Sequence, residues 1–278
     1  AVLRGRILDE TGSPLSGVGV SVLQRGNEPD YGVTTTQLDG TYDLAVNGGG
    51  VHTLVFQLAG YVPAQRTVRT PWLDYVVLDD VVLVPYEATS TTIDLASSTV
   101  VQVHRGDVQT DDDGSRRALV MFKPGTAAAL ELADGSTQAV TSLTVRATEL
   151  TVGADGPARM PADLPPSSAY TYAVDISADE VAAAGAVGVE FDTHVIVYID
   201  NFLGFDIGED VPVGLYDQQR AQWEAIDDGR VIAITGESGG EALVDIDGDG
   251  AAESTSVLDA FGIDADEREQ LAADYDAG

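Results

Sequence analysis

The chain has 278 residues, and its 14 basic and 46 acidic side chains give a net charge of −32. This imbalance argues against nucleic acid as a partner, because nucleic-acid binding requires a positive field. Hydrophobic residues make up 44% of the sequence, which excludes a disordered acidic tail and predicts buried cores. The length suits about two or three domains of ordinary size.

The acidic excess has several interpretations that the sequence leaves open. Lys123 is the only lysine and Asp outnumbers Glu, as in halophilic or marine proteomes and in GC-rich genomes. The same composition suits a protein that works with divalent cations. Cysteine is missing, which excludes disulfides and thiol chemistry. No apolar run reaches the roughly 18 residues of a membrane span, so we expect no membrane insertion.

Residues 1–87 have the strand patterning of a β-sandwich. Strands are predicted at 2–9, 15–23, 51–58, 76–78 and 81–84. Residues 34–44 predict a hairpin around the Asp39-Gly40 turn, since glycine tolerates positive φ. Together these segments give about seven short strands, which is typical of sandwiches. The strand pattern begins at Ala1 with no signal-peptide pattern before it, so we expect a piece of a longer protein.

Three segments of this first domain resemble a known family. They are Gly5–Asp9, Gly12–Val22 and Thr36–Leu44. In this order they look like the transthyretin-like (carboxypeptidase regulatory-like) domain. The resemblance implies a β-sandwich with a structural or adhesive role.

Four more segments narrow the resemblance. They are Asp30–Gly32, Asn47–Gly50, Gly60–Arg66 and Pro71–Tyr75. These look like the version of the domain found just before the YD-repeat shell of RHS and teneurin-like proteins. For Trp72 and Tyr75 we expect core packing at a sandwich edge. The alternative for both residues is a docking surface for the rest of the parent protein.

Residues 88–240 resume strand patterning after a polar linker. Strands are predicted at 100–103, 118–122, 129–132, 143–152, 170–176, 195–199, 211–217 and 223–226. We expect one larger β-sandwich or two small ones. The last two segments predict a strand pair, with Tyr216 and Trp223 packed across the hairpin.

The same region resembles part of RHS proteins. The segments concerned are Lys123–Thr126, Ser168–Val174 and Asn201–Phe205, which look like the region C-terminal to the first domain in bacterial RHS proteins. By position, the region corresponds to the plug-type module of teneurin-like proteins, which packs against or inserts into the open end of the shell. A plug role is therefore expected by analogy of fold.

The segment from Asp245 to Glu253, Asp-Ile-Asp-Gly-Asp-Gly-Ala-Ala-Glu, carries the strongest chemical signal in the chain. Acids at loop positions one, three and five project to a common centre, and the glycine at position six allows a sharp turn. A backbone carbonyl at position seven and an acid at position nine add oxygens, which suits Ca²⁺. The predicted ligands are Asp245, Asp247, Asp249, the Ala251 carbonyl and Glu253. The alternative is an acidic, solvated turn.

This loop departs from the full EF-hand at position twelve, where Ser256 replaces the bidentate Glu. Asp259 is a candidate substitute, as in loops of the dockerin and thrombospondin type. Without that Glu we expect an affinity on the order of 10⁻⁴–10⁻³ M, as in extracellular modules. Helical patterning comes next, with Asp264 as the N-cap and Glu267 at the capping-box position. Residues 241–278 are thus predicted to be a calcium-ordered helical unit.

Other motifs point to no catalytic chemistry. The sequence lacks a His-Glu-x-x-His motif, a P-loop and a nucleophile elbow. Gly236–Gly240 resembles a serine nucleophile motif but lacks the strand-to-helix context. The acidic run from Asp111 to Gly114, followed by Arg116 and Arg117, is expected to be a solvated hairpin tip. We therefore expect that the chain is not an enzyme.

Together these features predict a non-catalytic structural segment of a secreted or surface-exposed RHS/YD-repeat protein. It would pack on, brace or close the shell that holds a C-terminal toxin or adhesive domain. Its partners would be other domains of that parent, with a cell-surface protein or a glycan as further candidates. The competing hypothesis is a carbohydrate-binding or adhesion module, which an exposed Trp72 or Trp223 would favour. An enzyme comes third and would need a pocket lined by converging acids and a histidine.

Overall fold

The computed structural model of the protein describes residues 1–24, 31–153, 156–165 and 168–275. Asp30 of the first domain's motifs and residues 276–278, the end of the predicted helical unit, lie outside these ranges. Strands make up 44% and helices 10% of the structure, which confirms a mainly β fold. Within the described ranges, no helix combines the length and the apolar character that crossing a bilayer requires.

The described part of residues 1–83 is a sandwich of two sheets. Its strands are β1 (Val2–Asp9), β2 (Gly19–Val22), β3 (Val33–Thr35), β4 (Thr41–Ala45), β5 (Val51–Gln57), β6 (Ala64–Arg69), β7 (Tyr75–Val77) and β8 (Val81–Leu83). One sheet has the order β4-β1-β7, with β8 also paired to β1, and the other has the order β3-β2-β5-β6. Strand β1 runs antiparallel to β4 and parallel to β7 and β8. The expected sandwich is confirmed.

The hairpin expected over 34–44 is wrong. Strand β3 pairs with β2, and β4 pairs with β1, so the two strands lie in different sheets. The turn itself does form, because Gly40 has a φ of 76° and the Gln37 N–H donates to the Thr41 carbonyl at 2.8 Å. Local turn chemistry fixes the reversal of the chain, but the apolar faces of the strands decide which sheet each one joins.

The core of this domain follows the alternation of β1, which buries Leu3 and Ile7 completely. Gly5 lies between them on the same face, and a Cβ there would lie 2.7 Å from the Tyr42 hydroxyl oxygen. Glycine is therefore required at this position to admit the Tyr42 ring. That ring packs against Phe56 with a centroid distance of 5.6 Å, a contact that adds to the burial of both rings.

The middle region consists of short strands around a second core. Its strands and helices to residue 199 are β9 (Thr91–Asp94), β10 (Gln102–Arg105), β11 (Gln109–Asp111), β12 (Gly114–Arg116), β13 (Ala118–Phe122), β14 (Ala128–Leu132), β15 (Thr137–Val140), β16 (Ser142–Glu149), α1 (Gly156–Arg159), β17 (Val174–Ala178), α2 (Asp179–Ala184), β18 (Ala186–Phe191) and β19 (Ile196–Ile199). Three sheets, β10-β13-β19, β15-β14-β18 and β17-β16-β9, contribute side chains to one hydrophobic cluster.

The remaining residues form small strand pairs and two helices. They are β20 (Asp210–Val211), β21 (Gly214–Asp217), β22 (Gln222–Ala225), β23 (Gly229–Arg230), β24 (Ala233–Ser238), β25 (Glu241–Asp245), α3 (Thr255–Phe261) and α4 (Ala265–Asp274). The predicted pairing of β21 with β22 is confirmed, and the rings of Tyr216 and Trp223 lie 5.1 Å apart across it. Gly236–Gly240 lies in and at the tip of the β24–β25 hairpin.

Strand β13 joins the middle region to the C-terminal residues because both of its faces are buried. Val120 packs into the second core, whereas Leu119 and Met121 pack into a third core with Val244 and Leu271. The C-terminal helices therefore lie on the outer face of the β10-β13-β19 sheet. The predicted domain boundaries at 87 and 240 stay a prediction, and the second of them falls at the tip of the β24–β25 hairpin.

Strand β6 joins the first domain to the middle region. The Gln65 N–H donates to the Pro161 carbonyl at 2.7 Å, so the segment after α1 covers the outer edge of this strand. The Tyr216 hydroxyl donates to Gln65 Oε1 at 2.6 Å, which ties the β21–β22 hairpin to the same strand. One edge of the sandwich is therefore covered by the chain itself.

Candidate metal site

The loop that comes after β25 wraps its backbone around one carboxylate. The Asp245 oxygens accept hydrogen bonds from the N–H groups of Asp247 (3.1 Å), Gly248 (2.7 Å) and Gly250 (2.8 Å). Gly248 and Gly250 both have positive φ, at 81° and 83°, which is the conformation that glycine adopts most readily. The sequence pattern thus produces the tight loop that it predicts.

Three carboxylates converge in this loop. Asp245, Asp247 and Glu253 each place an oxygen within 4.8 Å of the others. Asp245 is only 2% exposed. Glu253 Oε1 accepts from the Ile246 N–H at 3.0 Å, whereas its Oε2 is buried and has no hydrogen-bond partner among the described residues. A buried carboxylate oxygen without a partner is costly, and a cation would remove that cost.

Electrostatics keep the central carboxylate charged. Burial by itself would raise the pKa of Asp245, but the backbone N–H groups directed at its carboxylate outweigh that effect and hold the pKa below its ordinary value. Three acids crowded together are mutually repulsive unless a positive charge joins them. The oxygen-only donor set and the tight loop fit a hard cation such as Ca²⁺.

Two of the other predicted ligands lie on the same loop. Asp249 is not part of the converging group of Asp245, Asp247 and Glu253. Its Oδ1 instead accepts a hydrogen bond from the Ala251 N–H at 2.8 Å. Asp249 and Ala251 lie within the same loop sequence as the three converging carboxylates. Their contribution to metal binding stays a prediction.

Asp259 lies outside the loop, on helix α3. Its Oδ1 accepts a hydrogen bond from Arg268 Nη1 at 2.9 Å. Arg268 is 4% exposed and also donates from Nε to Glu241 at 2.8 Å. The structure therefore uses Asp259 to neutralise a buried guanidinium that the sequence pattern did not predict. The sequence did contain a signal for this ion pair, since Arg268 is a single arginine within an acidic helix.

Glycine contacts hold the loop against the middle region. A Cβ at Gly248 would lie 2.5 Å from the Ile207 carbonyl oxygen, and one at Gly208 would lie 2.8 Å from the Asp247 carbonyl. The two backbones therefore touch where side chains would separate them. Helix α4 begins as predicted, since the Asp264 carboxylate accepts from the Glu267 N–H at 3.0 Å.

The acidic hairpin β11–β12 differs from its expected form as a wholly solvated tip. Asp112 and Asp113 are exposed, but Arg116 is 1% exposed. Its guanidinium donates to Asp111 Oδ2 and to Glu149 Oε1, each at 2.8 Å. The hairpin is therefore anchored by a buried ion cluster, because an unpaired guanidinium could not be buried.

The expectation of core packing for Trp72 and Tyr75 is wrong. Trp72 is 75% exposed and Tyr75 is 61% exposed. Trp223, by contrast, is partly buried, and its indole N–H donates to the Asp163 carbonyl at 3.1 Å. The alternative for these two side chains, a docking surface for the rest of the parent protein, stays a prediction.

Two surface clefts accompany these features. One, of about 330 Å³, is lined by residues that include Asp113, Arg116 and Tyr170. The other, of about 420 Å³, is lined by residues that include Asp163 and Trp223. Neither lining combines converging acids with a histidine, which is the arrangement that an enzymatic site was expected to need.

Comparison with known proteins places the first domain. Residues 1–83 match the family model described as the teneurin TTR-like domain. Teneurin-3 of Danio rerio is 38% identical over 96 residues, which are 34% of this chain and 4% of that protein. Teneurin-m of Drosophila melanogaster is 43% identical over 83 residues, which are 30% of this chain and 3% of that protein. The matched region is thus a small part of these relatives.

Among solved structures, a streptococcal ancillary pilin aligns with a TM-score of 0.26 at 12% identity, over 52% of this chain and 46% of that chain. A DUF3823 family protein from Bacteroides uniformis aligns with a TM-score of 0.24 at 10% identity, over 82% of this chain and 97% of that chain. TM-scores this low identify no common fold. Residues 1–83 are thus similar to the teneurin TTR-like domain, and this match covers less than half of the chain.

Proposed function

We propose that the chain is a non-catalytic structural segment of a large secreted or cell-surface protein of the RHS/YD-repeat, teneurin-like kind. The match of residues 1–83 to the teneurin TTR-like domain carries this proposal. Teneurins are the relatives that this part of the chain matches, and such sandwich domains act through their surfaces rather than through covalent chemistry. The segment would pack on or plug the YD-repeat shell of its parent.

The junctions between its parts support a bracing role. Strand β6 is bonded both to the segment after α1 and to the β21–β22 hairpin. Strand β13 contributes to two cores at once. Parts that are joined in this way resist relative motion, which suits a segment that holds a larger shell in place.

Calcium binding is the second element of the proposal. Asp245, Asp247 and Glu253 would hold the ion, with Asp249 and the Ala251 carbonyl as further oxygen donors. The ion would neutralise the clustered carboxylates and satisfy Glu253 Oε2. Because the loop contacts the backbone at residues 207–208, binding would also stabilise the packing of the C-terminal residues on the middle region.

Calorimetric titration of calcium into the purified chain tests this element. We expect one site with a dissociation constant on the order of 10⁻⁴–10⁻³ M and a raised melting temperature in calcium. The double variant Asp247→Ala, Asp249→Ala should abolish both effects. The matched control Asp112→Ala, Asp113→Ala removes two exposed acids elsewhere and should change neither. Asp259→Asn should retain calcium affinity within a factor of about two, because Asp259 is paired with Arg268.

If the wild-type chain shows no binding heat in millimolar calcium, the metal site is refuted. The structural role would then rest on the first domain alone. Co-expression with the YD-repeat region of the parent tests that role separately. Co-elution of the two on size exclusion is the expected result. Independent elution of two folded polypeptides would contradict shell packing.

A glycan-binding or adhesion role is the second candidate, and the exposure of Trp72 favours it. Aromatic rings on protein surfaces can stack on sugar rings. A glycan array probed with the wild-type chain and with Trp72→Ala would separate this role from shell packing, since only a glycan-binding module would lose array signals in the variant.

A further inference from the structure

Strand β7 and the loop before it form an apolar surface patch. Its members are Trp72, Leu73, Tyr75 and Val77, and they are 75%, 98%, 61% and 73% exposed. We call these four residues the β7 patch. Single exposed apolar side chains are ordinary, whereas four within six positions are a candidate interaction surface.

The backbone of β7 is paired on one side only. The Val2 N–H donates to the Asp74 carbonyl at 3.0 Å, and the Leu78 N–H donates to the Arg4 carbonyl at 2.8 Å. Successive residues of a strand point their backbone groups to opposite sides, so Tyr75 and Val77 direct theirs away from β1. In the described part of the chain, no strand pairs with that outer side.

One of the outward backbone groups of β7 is already bonded within the chain. The Tyr75 N–H, on the outer side, donates to the carboxylate of Asp74 at 2.8 Å. Among the described residues, none bonds to the Tyr75 carbonyl or to the backbone N–H and carbonyl of Val77, so these groups are open to a partner. Strand β6, at an edge of the other sheet, has its N–H at Gln65 bonded to Pro161. The fold thus covers one edge with its own chain and leaves the β7 edge open.

The loop before β7 is shaped to present its side chains. A Cβ at Gly49 would lie 2.6 Å from the Trp72 indole ring, so glycine is required to seat the ring against residues 48–49. Leu73 has a φ of 53°, a left-handed conformation that is costly for leucine. Strain of this kind is concentrated at functional surfaces. A strained leucine that is 98% exposed contributes nothing to the core of this domain.

Charge indicates the kind of partner. Exposed Asp74 and Asp79 lie at the two ends of β7. The Arg4 guanidinium lies 5.6 Å from the centre of the Tyr75 ring, and its charge is already paired with Asp43 at 2.7 Å. A second copy of this chain is a poor partner, because antiparallel self-pairing of β7 would bring acids opposite acids and join two molecules of charge −32. An apolar strand with basic ends matches both the patch and its flanks.

We propose that β7 accepts, as an added strand, an extended segment from elsewhere in the parent protein. The segment would present alternating apolar side chains to the β7 patch and Lys or Arg at its ends to Asp74 and Asp79. Backbone hydrogen bonds to Tyr75 and Val77 would supply affinity, and the apolar and charged contacts would supply selectivity. The inference rests on the proposed function only in naming the parent protein as the source of the segment, and it is independent of calcium.

The test uses the full chain and a fluorescein-labelled nonapeptide, Lys-Arg-Val-Thr-Val-Thr-Val-Arg-Lys, as the probe. We expect saturable binding by fluorescence anisotropy and slowed hydrogen exchange at the Val77 amide. Val77→Pro removes the outward N–H at an edge position that tolerates proline, and should weaken binding at least tenfold. The matched control Val77→Thr keeps the N–H and should weaken binding less. Asp74→Asn with Asp79→Asn should weaken binding and flatten its salt dependence.

Several results would overturn the inference. They are equal affinity of Val77→Pro and wild type, equal binding of a peptide with Glu at its ends, and exchange protection at β3 instead of β7. If Val77→Pro fails to fold, exchange at Val77 in the wild-type chain decides the question alone. Binding of a sugar such as maltohexaose to Trp72, with none of the peptide, would assign the patch to a glycan.

Peptide binding that persists in the Asp247→Ala, Asp249→Ala variant would separate this inference from the calcium site.

Discussion

Arg66 Nη1 lies 3.1 Å from the carbonyl oxygen of Met160, a residue 94 positions further along the chain. Its Nη2 donates to the Ala158 carbonyl at 2.9 Å. The guanidinium is almost completely buried between the first domain and the middle region. One side chain thus satisfies backbone carbonyls that the junction would otherwise bury without partners.

Replacement of this arginine should loosen the junction. We expect Arg66→Met to lower the free energy of unfolding by about 2–4 kcal/mol, because it leaves buried carbonyls without donors. Urea denaturation followed by circular dichroism measures the loss. Arg69→Met, on the exposed end of the same strand, is the matched control and should stay within about 0.5 kcal/mol of wild type. Equal stability of the two variants would show that the junction contributes little.

Glu87 predicts a loss of stability in acid. Its Oε2 accepts from His104 Nε2 at 3.0 Å and from the Ala147 N–H at 2.8 Å. Burial by itself would raise the pKa of Glu87, but the His104 hydrogen bond and the backbone donors hold the pKa below its ordinary value. The folded pKa is therefore below the unfolded value of about 4.3, and this stabilisation is present above that pH and lost as pH falls through the folded pKa.

We expect Glu87→Gln to reduce stability at pH 7 by about 1–3 kcal/mol through its hydrogen bonds. The gap from wild type should narrow below about pH 4, where the wild-type carboxylate begins to take up a proton. Thermal unfolding at several pH values measures it. Glu190→Gln, at an exposed position, is the control. A gap independent of pH would contradict the assigned role of the charged form.

Asp175 predicts the opposite pH dependence. Its buried Oδ1 has no hydrogen-bond partner among the described residues, and burial raises the pKa of Asp175 to about 6. The folded pKa lies above the unfolded value of about 4, so the folded state binds the proton more tightly. The contribution of Asp175 to the free energy of unfolding is fully present below about pH 4. It is lost as the pH rises towards 6.

Asp175→Asn should therefore stabilise the protein at pH 7, by roughly 1–3 kcal/mol, and have little effect at pH 4. Chemical denaturation at the two pH values measures this difference. Asp112→Asn, at an exposed position, should change stability little at either pH. A variant less stable than wild type at pH 7 would show that the Asp175 carboxylate has a stabilising partner.

At Leu73, we expect one substitution to raise the stability of the fold and to weaken peptide binding. Asparagine tolerates the left-handed conformation better than leucine, so Leu73→Asn should raise the free energy of unfolding by about 0.5–1 kcal/mol. The same change should weaken binding of the nonapeptide, because it removes an apolar contact from the β7 patch. Leu38→Asn is the matched control: Leu38 is 91% exposed, without positive φ, and the change should affect neither property.

Much of the fold could be predicted because its signals are local. Alternation in β1 placed Leu3 and Ile7 in a core, and the loop of Asp245–Glu253 was recognised from spacing alone. The hairpin over 34–44 was wrong because a turn specifies a reversal and not a partner strand. Spacing made Asp259 a candidate ligand of the loop, and spacing alone could not show that Arg268 lies beside it.

The sequence by itself determined a mainly β chain, a first domain similar to the teneurin TTR-like domain, an acidic loop built from Asp and Gly, and the N-cap at Asp264. Only the tertiary structure decided that Arg66 would be buried at a junction, that β13 would serve two cores, and that Trp72 would face solvent. The physical reason is the sequence separation between the residues that interact. Strand alternation, turns and caps depend on residues a few positions apart, whereas burial depends on which distant surfaces meet. Trp72 stays 75% exposed, although its ring lies against residues 48–49.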